Sequence, residues 1–146
     1  MIFLHRQLVL ALLLVGLLLA ACAPAGSGQV ELDGTQWQLN AINGEEVSEM
    51  LAGRAITIRF EGGEAGGSAG CNSYGGSYEA NPASGSISFS DLFATLMACE
   101  DDAVMQLEAS FLEALNNATN YEIEGDTSRI FAGEQTLVFT RAEFDQ

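Results

Sequence analysis

Three cysteines, one histidine and 20 acidic residues are the side chains of this 146-residue chain best suited to chemistry. His5 is the only histidine, lysine is absent, and Arg6 is the only arginine before Arg54. Both His5 and Arg6 fall in an apolar leader, residues 1–21, that reads as removable. Cleavage after Ala21 leaves 146 − 21 = 125 residues, 5 − 1 = 4 arginines and a formal charge of 4 − 20 = −16, with no histidine. Ser-His-Asp and Cys-His nucleophile systems, histidine-ligated metals, Schiff-base lysines and the P-loop lysine then each lack a required residue. Phosphate binding needs clustered Lys and Arg, so nucleic acid is not an expected partner. Carboxylate pairs remain competent for general acid/base work, as in glycoside hydrolysis. No pair in the sequence is flanked by the aromatic platform of a sugar site, and the expectation is a protein that is not an enzyme. Glu100-Asp101-Asp102 offers oxygens to calcium but lacks the D-x-D-x-D-G loop, and reads better as the acidic start of a helix. No metal and no cofactor is expected.

Cys22 follows a weakly basic start and an apolar run from Leu8 to Ala21, 14 residues long. A membrane span needs about 20, so the run suits a signal peptide. It ends Leu19-Ala20-Ala21-Cys22, which resembles the lipobox of bacterial lipoproteins, where the cysteine is acylated and becomes the new N-terminus. The alternative is an ordinary secretory leader that leaves a free thiol. Ala23-Pro24-Ala25-Gly26-Ser27-Gly28 then has nothing to bury and reads as a tether. Cys71 and Cys99 remain. In an exported domain without histidine they are more readily a bridge than a zinc site, and two buried thiols that never meet are the other reading. The bridge would close a loop of about 29 residues and stabilise by roughly 3–4 kcal/mol in the chain-entropy model.

The elements that must carry these residues are mostly strands. Period-two alternation runs through Thr35–Leu39, Ala55–Phe60, Ser86–Ser90, Tyr121–Glu124 and Thr136–Thr140. Turn signals lie between them at Asn43-Gly44, Gly62-Gly63, Asn81–Gly85, Gly125-Asp126 and Gly133-Glu134. Short strands at close spacing predict an antiparallel meander that curls into a barrel. One segment has the helical period: Val104, Leu107, Phe111, Leu112, Leu115 and Ala118 share a stripe, with Glu108 and Glu113 off it. The expectation is one amphipathic helix over about 102–117, packed on the sheet, with at most a turn or two more in Glu45–Ala52. Gly62 to Gly76 holds seven glycines, read as bulges, curvature or close backbone approach.

Several motifs carry a family resemblance. Leu32-x-Gly34-Thr35-x-Trp37-x-Leu39, Gly70-Cys71-Asn72-Ser73-Tyr74-x-Gly76-x-Tyr78, Thr95-Leu96-Met97-Ala98-Cys99 and Thr136-Leu137-Val138-Phe139 follow in order over about residues 31–141. Together they resemble META-domain proteins, the HslJ-like lipoproteins. The resemblance implies a mainly β (α+β) fold: a small antiparallel barrel or strongly curled sheet of lipocalin-like topology with one helix. It also implies an envelope location and an association with stress and antibiotic tolerance, and no catalytic residues. The family often has arginine at the positions of Ser73 and Leu96, so a site built on those two cations would be missing here. The plainer reading is that both were surface positions free to change.

The organisation expected is therefore a signal peptide, 1–21; a lipidated cysteine and tether, 22–30; and one META-like domain, 31–141. The protein is expected to be a monomer, anchored to a membrane through Cys22 and facing the periplasm or the cell exterior. In a host with two membranes that membrane is the outer one. Asn72 and Tyr74 are the candidates for contact with an envelope partner, against a structural role for both. A ligand carrier is the alternative, because an eight-stranded barrel can hold one small ligand. Trp37, Phe60, Phe89, Tyr121, Phe131 and Phe139 could line its cavity or simply be core.

Overall fold

A computed structural model describes residues 31–142 apart from 49 and 52. The leader, Cys22 and the tether lie outside the described residues. Eight antiparallel strands close into a barrel: β1 (Thr35–Ile42), β3 (Thr57–Glu61), β4 (Glu64–Ser68), β5 (Ser73–Asn81), β6 (Ser86–Ala94), β7 (Asn120–Glu124), β8 (Thr127–Ala132) and β9 (Gln135–Arg141). Closure comes from β9 pairing back onto β1, from Trp37 opposite Arg141 to Ile42 opposite Leu137. A two-residue strand, β2 (Glu45–Glu46), folds back on the end of β1 through Asn43-Gly44. Both turn residues have positive φ, 54° and 83°, as a hairpin turn matched to strand twist requires. That hairpin occupies the start of the segment for which a helical turn was an alternative.

The weak point of the wall is between β6 and β7, which share a single registered pair, Ser86 with Asn120. The chain between those strands forms α1 (Asp102–Asn116), close to the predicted limits. Asp101 caps it, its carboxylate accepting from the Ala103 N–H at 2.9 Å. The stripe Val104, Leu107, Phe111, Ala114 and Leu115 is buried. Phe111 reaches into the barrel and meets Tyr74 of β5 and Phe139 of β9, with ring centroids 5.3 and 6.5 Å apart. Phe60 packs edge-on to Tyr78 at 4.8 Å and lies 6.2 Å from Phe89. Trp37, Tyr121 and Ile130 complete an interior built from side chains of both walls and the helix. Phe131 differs from the other aromatics: Ser128, Ile130 and Ala132 take the inward positions of β8, which turns Phe131 outward.

Strands β4, β5 and β8 lie where no alternation was readable. In β4 and β5 glycine removes the pattern. The sheet coils so tightly there that a Cβ on Gly67 would collide with the carbonyl oxygen of Thr57.

Candidate functional site

Two groups of polar side chains lie on β5 and β6, and they use their polarity differently. The first surrounds the Cys71–Cys99 disulfide, whose Cα atoms stand 6.2 Å apart. Beside it Asn72 is only 4% exposed. Its amide oxygen accepts from the Thr95 hydroxyl and from the Met97 N–H, each at 2.8 Å. Its amide nitrogen donates to Glu108 Oε1 at 2.7 Å. Glu108 Oε2 in turn accepts the backbone N–H of Asn72 at 2.7 Å and of Cys71 at 3.3 Å. One helix carboxylate thus ties the β4–β5 loop to α1, and one asparagine ties both to the chain entering the helix. Tyr74 is 5% exposed and donates its hydroxyl to the Thr57 carbonyl at 2.9 Å. Burial raises its pKa well above the usual tyrosine value.

The second group lies on the outer wall of β3 to β6 and is a trough of about 1020 Å³. Register builds it. Arg59, Gly66, Gly75 and Phe93 are outward neighbours on four successive strands. Glu61, Glu64, Ser77 and Ser90 form the next row, and Asp91 lies between the two rows on β6. The walls are therefore β3 and β6, three strand spacings or about 14 Å apart. The floor between them carries no side chain of its own at Gly66 and Gly75. Phe93 stands in the wall because of a bulge. The register shifts between Gly75 and Ser77, so that Asp91 and Leu92 together face Gly76, with Asp91 at φ 53°. Ile87 and Phe89 point inward. Without the extra residue Phe93 would follow them; with it Phe93 is 68% exposed. Its ring tip leans over Gly75, where an added Cβ would stand 3.0 Å from it. Arg59 is ion-paired with Glu61, whereas among the described residues Glu64 and Asp91 have no ion pair.

Of the residues singled out from the sequence, Cys71, Cys99 and Asn72 come together at one corner of the barrel, and Tyr74 points inward beneath them. Both candidate contact residues spend their hydrogen bonds on the fold. Ser73 donates its N–H to the Thr95 hydroxyl and accepts the Thr95 N–H, at 3.2 and 3.0 Å, which brings positions 73 and 96 to the same corner. Leu96 is 97% exposed there. Neither Glu108 nor Phe93 stands out in the sequence as a site residue. The visible trace of Phe93 is a change of phase after Ser90, where Leu92-Phe93 breaks the alternation of Ile87 and Phe89. Among the described residues no group of three or more His, Cys, Asp or Glu side chains is placed to hold a metal ion, and no helix is long and apolar enough to cross a membrane.

Comparison with solved structures finds the same architecture elsewhere. An NMR structure of a protein from Burkholderia xenovorans is 28% identical with a TM-score of 0.63, covering 77% of this chain and 85% of that one. A crystal structure of a DUF4847 family protein from Bacteroides vulgatus is 14% identical with a TM-score of 0.57, covering 78% and 96%; at that identity the likeness concerns the fold alone. No curated protein matches the sequence. The META domain model matches residues 30–144, which takes in every strand of the barrel, the helix and the disulfide-linked corner, and the chain belongs to the META domain family.

Proposed function

We propose that this protein is a non-catalytic, lipid-anchored component of the cell envelope whose META domain binds a partner on the outside of its barrel. The observation that carries the reading is the contrast between interior and exterior. The inward positions hold aromatic and aliphatic side chains in mutual contact, with Phe111 of the helix inserted among them. The large concavity is on the outer wall. A carrier would use the first space, and a partner-binding module uses the second. The Leu19-Ala20-Ala21-Cys22 junction supports the anchor. The absence of histidine and lysine from the domain supports binding over catalysis.

The test has two arms in cells of the native host. Metabolic labelling with an alkyne fatty acid should tag the wild-type protein and leave Cys22→Ser untagged and released from membranes. Photo-crosslinkers placed one at a time on outward barrel positions should give discrete adducts. A Cys22→Ser protein that stays in the membrane fraction would overturn the anchor, and adducts at no outward position would overturn the partner.

A further inference from the structure

The trough on β3 to β6 has a shape and a charge, and together they specify an occupant. Its floor has no side chain at Gly66, and the Phe93 ring tip lies over Gly75, so a backbone lying along the strands can approach closely over β4 beside the ring. Strands β3 and β6 lie about 14 Å apart by three strand spacings, and with the Phe93 ring leaning inward the gap accommodates one extended polypeptide. At one end Glu64 of β4 stands opposite Ser77 of β5, and Asp91 stands in the bulge of β6 opposite Gly76, two strand spacings or about 10 Å across the sheet and one residue along it. Neither carboxylate has an ion pair among the described residues, while the one cation of the trough, Arg59, is neutralised by Glu61. The lining therefore keeps two uncompensated negative charges, on a chain whose formal charge is −15. Anionic glycans, phosphates and acidic peptides are repelled from such a lining. The aromatic wall also favours a cation, since guanidinium and ammonium groups are attracted to ring faces. The bulge at Asp91 places both the carboxylate and the ring, turning Asp91 and Phe93 outward together.

We propose that this trough binds an extended, positively charged segment of a partner protein, with a lysine or arginine between Glu64 and Asp91 and the segment's backbone over Gly66, beside the Phe93 ring. This rests on the partner-binding reading above and names its site and chemistry.

The test uses the full-length protein, 15N-labelled and purified in detergent micelles, with three probes: the peptide Gly-Arg-Gly-Leu-Gly-Arg-Gly, the same peptide with glutamate for arginine, and cellohexaose. Only the arginine peptide should shift the amide signals of Gly66, Gly75, Ser77 and Phe93 at 0.15 M salt, roughly the physiological ionic strength. Glu64→Gln with Asp91→Asn should weaken its binding about tenfold, and Phe93→Ala severalfold. Glu122→Gln with Glu134→Gln, which removes the same charge elsewhere, should leave it unchanged. Equal weakening by the two charge pairs would overturn the proposal, as would occupation by cellohexaose, shifts lying outside the trough, or no shift at all. Photo-crosslinkers in cells at position 93 and, one at a time, at the other outward positions, 122 among them, distinguish the site from partner binding elsewhere on the barrel. Adducts at 93 that disappear with Glu64→Gln and Asp91→Asn support the site. Adducts at other outward positions but not at 93 overturn the site and leave partner binding standing, and adducts at no outward position overturn both.

Discussion

The corner around Asn72 and the trough over Gly75 are neighbours on β5, yet their polar groups face opposite obligations. At the corner, Asn72, Glu108, Thr95 and the backbone N–H groups of Cys71 and Met97 bond to one another. These bonds hold the Asn72 amide and the Glu108 carboxylate within the fold, and each group would be costly to bury alone. In the trough, Glu64, Asp91 and Phe93 are exposed and held apart by register, not by mutual bonds. The corner therefore stores stability and the trough stores contact surface. Residue types that look functional in a motif can be fully spent on the fold, while a floor of glycine and one displaced aromatic can make a binding surface.

The sharpest way to break this comparison is to open the corner. Cys71→Ser with Cys99→Ser removes a link across 28 positions, and it should lower unfolding free energy by about 3–4 kcal/mol if loop closure dominates. Urea titration of the two proteins measures this. A loss below about 1 kcal/mol would mean that the hydrogen bonds hold the corner without the bridge.

Asn72→Ala comes next. It leaves the Met97 N–H, the Thr95 hydroxyl and one Glu108 oxygen without their partner, and should cost about 2–3 kcal/mol in the same titration. Phe93→Ala in the trough should change stability by less than about 0.5 kcal/mol, because an exposed ring gives up little burial. Equal losses from the two substitutions would erase the division between corner and trough.

Glycine separates the regions on a finer scale. Gly67→Ala sets a Cβ against the rigid Thr57 carbonyl, and should destabilise by about 1–3 kcal/mol, as overpacking does. Gly75→Ala meets only the tip of the Phe93 ring, which is free to swing, and should cost less than about 1 kcal/mol. It should, however, reduce binding of the arginine peptide by displacing the Phe93 ring from its place in the trough.

Much of this architecture is readable from residue patterns, and the unreadable part has definite causes. Trp37, Leu39, Ile58, Phe60 and Phe139 alternate cleanly, so their strands and their burial follow from period two. The stripe from Val104 to Leu115 likewise yields the helix and its buried face. Gly66, Gly67, Gly75 and Gly76 have no side chains to alternate, so β4 and the start of β5 are silent. In β8 the inward position of Ser128 weakens the apolar signal. The trough depends on lateral register across four strands and on a single extra residue at Asp91. Neither is a property of any one segment, so Phe93 reads locally as one more strand phenylalanine. Asn72 shows the opposite limit: its motif is conspicuous, but only the placement of Glu108 and Met97 reveals that its amide is already satisfied.

The gentlest probe leaves neutral pH untouched. Tyr74, Tyr78 and Tyr121 are the only tyrosines, and burial raises the pKa of each above the ordinary value of 10. For Tyr78 it reaches about 12, through desolvation first and then through Asp33, which accepts its hydroxyl at 3.3 Å. A buried phenol favours the neutral form, so the unfolded chain releases its tyrosine protons at lower pH than the folded one. Their contribution to stability is whole below pH 10 and declines as pH rises from there toward the folded-state values. Phenolate absorbance should therefore stay low past pH 10 and then rise together with loss of the tertiary circular-dichroism signal. Asp33→Asn should let Tyr78 ionise earlier while Tyr74, whose shift comes from burial beside the corner, stays protonated until the barrel opens. A single smooth titration near pH 10, with the fold intact, would mean that the corner admits water, and the contrast with the trough would fail at its structural root.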